Sequence, residues 1–95
     1  MNAPQPMLES ELVSWSTVEA LFDDLAALAE IHEVRIKGGE SARAGAPSRD
    51  LAGARAALLG GQAVGVQVRY RHDGAEWCDT LVREAQGVRI VRIAG

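Results

Sequence analysis

From Val64 to Arg71 every second residue is apolar or aromatic: Val64, Val66, Val68 and Tyr70 alternate with Gly65, Gln67, Arg69 and Arg71. A period of two is that of a strand with one face on a core. The run ends at Asp73-Gly74, a dipeptide suited to a two-residue hairpin because both central residues of that turn take positive φ. Centring the turn there sets His72 against Ala75, Arg71 against Glu76, Tyr70 against Trp77 and Val66 against Leu81. The charge pair and the aromatic pair are each favoured cross-strand neighbours. The turn, the ion pair and the aromatic pair therefore specify the same register, and a slip of one residue would turn every apolar side chain to the wrong face.

Glu84-Ala85-Gln86-Gly87 reads as a second turn and Val88 to Ile93 as the last strand, which sets Arg83 against Val88, Leu81 against Ile90 and Asp79 against Arg92. One face of this meander carries Val64, Val66, Val68, Tyr70, Trp77, Leu81, Val88 and Ile90, and needs a cover of helices. The other carries Gln67, Arg69, Arg71, Glu76, Cys78, Thr80, Val82, Arg89, Val91 and Ile93.

Upstream, Ser16-Thr17-Val18-Glu19 has the spacing of a capping box. Val18, Leu21, Phe22, Leu25, Leu28 and Ala29 recur behind it at helical spacing, which predicts a helix over 17–30. His32, Val34 and Ile36 then alternate with Glu33, Arg35 and Lys37, predicting a half-buried strand over 31–37 closed by Gly38-Gly39. Residues 38–48 are a long loop rich in Gly, Ala and Ser. A second helix is expected over 50–59, capped by Ser48 and stopped by Gly60-Gly61. Residues 1–13 form a disordered or weakly ordered tail, with prolines at 4 and 6 and an ambiguous stretch from Leu8 to Val13. The expected fold is α+β: a single domain over 14–95, element order α-β-α-β-β-β, in which two helices cover one face of a four-stranded, mainly antiparallel sheet.

Composition narrows the setting. With 95 residues there is room for one core, and aromatic residues are only 4% of the chain, so that core is aliphatic. The net charge of -3 offers no general attraction for nucleic acid or anionic membrane. A single cysteine, Cys78, forbids an internal disulfide. Small secreted domains commonly need such bridges, so a cytoplasmic location is expected. The first residues have neither the basic start nor the apolar run of a secretion signal, and no stretch is apolar for long enough to span a bilayer.

Candidate chemistry is sparse. His72, Asp73, Glu76 and Cys78 crowd the hairpin tip but lack zinc-site spacing, and the register places His72 and Cys78 on opposite faces, so no metal or other cofactor is expected. Cys78 lies opposite Arg69, which would favour a thiolate, but neither histidine reaches it as a base. Asp79 projects toward the helices. Unpaired, it would be a desolvated acid or base; paired with its cross-strand neighbour Arg92, it is a structural ion pair. A His72–Asp79 dyad fails on distance, about 13 Å along the strand. The two Gly-Gly pairs lack phosphate-loop spacing, and Gly60-Gly61 lies at the wrong end of a helix for anion binding.

What remains is a surface. Arg69, Arg71 and Arg89, with Gln67 and Thr80, form a basic polar stripe on the open sheet face, and Val82, Val91 and Ile93 add apolar side chains beside it. Those apolar groups call either for a partner or for cover by the segment from Leu8 to Trp15. The leading expectation is a non-catalytic protein-binding or accessory module that associates with itself. One alternative is nucleic acid on the arginine stripe, which lacks aromatics for bases to stack on. Another is a small-molecule site between helices and sheet near Asp79, Trp77 and the loop over 38–48.

Overall fold

The computed structural model describes residues 8–38 and 48–94. In chain order they form β1 (Leu8–Val13), α1 (Trp15–Leu28), β2 (Glu30–Lys37), α2 (Leu51–Gly60), β3 (Gly65–His72), β4 (Ala75–Glu84) and β5 (Gly87–Ala94). The strands make one antiparallel sheet in the order β1-β5-β4-β3-β2, and both helices lie on the same face of it. The α+β class matches the expectation, but the sheet has five strands rather than four. The extra strand is β1, drawn from the segment expected to be tail. Its register, with Ser10 opposite Val91 and Val13 opposite Val88, satisfies the outer edge of β5, whose backbone groups would otherwise be left unpaired. Residues 1–7 of that expected tail lie outside the described residues, as does most of the loop expected over 38–48.

The hairpin and meander follow their local chemistry. Asp73 and Gly74 both have positive φ, 52° and 74°. The pairs His72–Ala75, Arg71–Glu76, Tyr70–Trp77, Val66–Leu81, Asp79–Arg92 and Arg83–Val88 are those set by the turn. Gly87, with φ 154°, closes the second turn where the β1 backbone passes. A Cβ there would lie 2.3 Å from the Val13 carbonyl oxygen, so a larger residue would push β1 off the sheet.

The core is Val18, Phe22 and Leu25 of α1, Ala54 and Leu58 of α2, and Val34, Val66, Val68, Tyr70, Leu81 and Val88 of the sheet. Fully burying each of the larger side chains contributes roughly 1.5–3 kcal/mol. Val64, expected on this inner face, precedes β3 and is 54% exposed. Leu28, expected in the buried stripe of α1, is 67% exposed at the helix end.

Both helix starts differ in detail from the expectation. α1 is capped by Ser14 rather than Ser16: the Ser14 hydroxyl accepts from the Thr17 amide at 3.3 Å. The earlier cap brings Trp15 into the first turn, where its ring lies 4.7 Å from the Arg83 guanidinium carbon. α2 is capped by Asp50, whose carboxylate accepts from the Gly53 amide at 2.8 Å, while Ser48 accepts from the Asp50 amide one step before. That cap accounts for Gly53, since a Cβ at this position would lie 2.1 Å from the Asp50 carboxylate. β2 pairs with β3 at the sheet edge opposite β1, and carries a bulge between Ile31 and Glu33. The extra residue breaks the simple alternation, so His32 does not join Val34 on the inner side but reaches Glu76 at 3.2 Å. None of the described helices is long and apolar enough to cross a membrane.

Candidate functional site

The sheet presents two settings for chemistry, one beneath the helices and one on the open face. Beneath the helices, β4 points Asp79 inward and β5 points Arg92 at it from the neighbouring position. The guanidinium grips the carboxylate in bidentate fashion, Nε to Oδ1 and Nη2 to Oδ2, each at 2.9 Å. The Tyr70 hydroxyl donates to Oδ2 at 3.0 Å. Asp79 is completely buried, so these three hydrogen bonds replace the water a carboxylate loses on burial. Burial, followed by the adjacent Asp79 charge, pushes the Tyr70 phenol well above its ordinary pKa of 10, because ionising it would set a second anion against the first. The phenol is thereby held neutral beside the ion pair.

Tyr70 is the member that sequence reasoning did not connect. It stands opposite Trp77 while Asp79 stands opposite Val68, which makes Tyr70 and Asp79 diagonal neighbours on one face. The register that pairs Asp79 with Arg92 already contained that diagonal contact. Arg83 was likewise unassigned. It points inward beside Val88 and donates to the Leu58 carbonyl at the end of α2 while lying over Trp15. A cation at a helix C-terminus satisfies an orphan carbonyl and complements the helix dipole.

A cleft of about 440 Å³ opens beside the triad, between α1 and the β3–β4 hairpin. Leu21, Leu25, Leu28, Tyr70 and Trp77 line it, together with Asp24, His72, Asp73 and Arg92. His72 Nδ1 is buried and has no hydrogen-bond partner among the described residues.

On the open face the stripe residues are brought together, and each arginine already has a carboxylate. Arg69 lies 3.7 Å from Glu33, Arg71 lies 3.9 Å from Glu76, and Arg89 lies 2.9 Å from Glu84. Arg89 also donates to the Ser10 hydroxyl and Gln67 to the Thr80 hydroxyl. Toward β5 and β1 the face turns apolar. Val82 and Val91 are half-buried, Ile93 is 43% exposed, and Leu12 on β1 is 39% exposed beside them. Cys78 is half-buried opposite Ile93. Burial pushes its thiol up, against the lowering effect of Arg69, so the expected bias toward thiolate is outweighed by desolvation. Among the described residues no three His, Cys, Asp or Glu side chains are grouped to hold a metal ion.

Comparison with known proteins returns no relative: no family model, no characterised protein and no solved structure matches the chain.

Proposed function

We propose that this chain is a non-catalytic binding module that associates with a second copy of itself through the open face of its sheet. The observation that carries the reading is the position of β1. The segment from Leu8 to Trp15 is the sequence's candidate to cover Val82, Val91 and Ile93, and its Leu8–Val13 part is β1. It instead joins the sheet edge and adds Leu12 to the same apolar group. Both helices pack on the opposite face, and sheet-on-sheet packing is the usual way for an apolar group such as this to leave water. A second copy suits it because the flanking arginines and glutamates are already matched within one chain. The stripe arginines are therefore engaged within one chain, and the face offers apolar contact with a mixed polar rim, the pattern of a protein interface. The same pairing weakens the nucleic-acid reading: a phosphate would have to displace Glu33, Glu76 or Glu84 from the arginine it sought. A cytoplasmic setting goes with this reading, supported by the lone thiol of Cys78.

The test is sedimentation velocity at tens of micromolar on the wild-type chain and on Ile93→Glu. Wild type is expected to sediment as a dimer and the variant as a monomer with an unchanged circular dichroism spectrum. A wild-type chain that remains monomeric throughout that range overturns the reading.

A further inference from the structure

The cleft between α1 and the hairpin has a composition that burial alone does not explain. Leu28 is a large aliphatic side chain left mostly exposed, and Leu21 and Trp77 are only half-buried. All three face one concavity, whose volume of about 440 Å³ is in the range of small-molecule sites, roughly 300–1,000 Å³.

The charges around it have one sign to spare. Among the described residues Arg92 is the only Arg or Lys in the lining, and two of its nitrogens are bound to Asp79. The Tyr70 hydroxyl is likewise committed to Asp79. Asp24 from α1 and Asp73 from the turn also border the cleft, and both are exposed. His72 contributes a ring nitrogen with no hydrogen-bond partner among the described residues. An incoming anion would meet two carboxylates and a guanidinium already engaged. An incoming ammonium would meet two carboxylates and an indole, whose π-face attracts cations.

We infer that this cleft is a binding site for a small amphipathic amine, a compact apolar or aryl body bearing one cationic nitrogen. Its body packs on Leu21, Leu28 and Trp77, and its ammonium lies toward Asp24 and Asp73. The site is on the helix-covered side of the sheet, away from the open face, so its failure leaves self-association untouched.

The test is an NMR titration of the full ¹⁵N-labelled chain with phenethylamine, and in parallel with 2-phenylethanol and 3-phenylpropionate as neutral and anionic counterparts. Trp15→Phe assigns the two indole signals. Phenethylamine is expected to produce saturable shifts in the Trp77 indole and in the α1 amides from Leu21 to Leu28, with 2-phenylethanol weaker and 3-phenylpropionate weakest. Asp24→Asn and Asp73→Asn should each weaken the amine by about threefold to fivefold, the effect of losing one solvent-exposed charge pair. Asn tolerates the left-handed backbone of the turn, so Asp73→Asn leaves the hairpin intact. Leu28→Lys, a change at an exposed helix position, should abolish amine binding and leave the spectrum otherwise folded. No saturable shift at millimolar phenethylamine overturns the inference. So does equal or tighter binding of the carboxylate, or a response confined to open-face amides.

Discussion

On the helix-covered face of the sheet Arg92 grips a carboxylate that solvent does not reach, whereas on the open face Arg89 holds one in contact with water. The closest contacts are alike, with the nearest nitrogen and oxygen 2.9 Å apart in both, although the inner pair is bidentate and the outer one makes a single bond. The surroundings are not. Asp79 has no accessible surface, and among the described residues its carboxylate is held by Arg92 and Tyr70. Glu84 and Arg89 are 39% and 38% exposed, so water can replace either partner. Contact distance therefore says little about what a pair contributes. What counts is the medium left behind when one partner is removed.

Breaking the buried pair should have the largest effect. Arg92→Ala strands Asp79 with only the Tyr70 hydroxyl, and is expected to cost about 3 kcal/mol in urea unfolding, the low end for an orphaned buried charge. The low end applies because Arg92 itself is 32% exposed. A double-mutant cycle with Asp79→Ala should return a coupling well above 1 kcal/mol. A coupling near zero would mean that Asp79 is hydrated in solution and that the two faces do not differ.

Tyr70→Phe sharpens the same contrast at smaller scale. It removes one hydrogen bond to a charged acceptor and leaves the bidentate pair, so a loss of about 1.5 kcal/mol at neutral pH is expected. The phenol also predicts a pH signature. Its folded pKa is raised above the ordinary value of 10, so the folded state keeps a proton that the unfolded state releases. That contribution is intact below pH 10 and is lost as pH rises beyond it. Stability measured from pH 9 upward should fall more steeply for wild type than for Tyr70→Phe, and parallel curves would show that the phenol is not desolvated.

The smallest effect belongs to the open face. A cycle on Glu84→Ala and Arg89→Ala should give a coupling below about 0.5 kcal/mol that fades with added salt. A coupling as large as that of the buried pair would imply that this face is itself desolvated, as it would be inside a dimer. The cycle should therefore be run below the concentration at which the chain associates.

Much of the inner triad follows from residues close in sequence. The Asp73-Gly74 turn, the Arg71–Glu76 and Tyr70–Trp77 pairs and the turn before Gly87 specify β3, β4 and β5 and set Asp79 beside Arg92, because hairpin partners meet across short loops and each pair is chosen by its own local chemistry. The tertiary structure decided what depends on distant partners. The segment from Leu8 to Val13 has no alternation clear enough to announce a strand, and it becomes one only because β5, far along the chain, offers an open edge. The bulge at His32 answers to Tyr70 and Arg69 across β2 and β3, and the cap on Ser14 goes with a contact between Trp15 and the distant Arg83. The cleft beside Trp77 exists only where α1 and the hairpin tip stop short of each other, a gap between surfaces that no run of residues encodes. Local pairing energies are written in neighbouring residues, whereas edges, caps and cavities depend on which distant surfaces meet when the whole chain minimises its exposed apolar area and unpaired backbone.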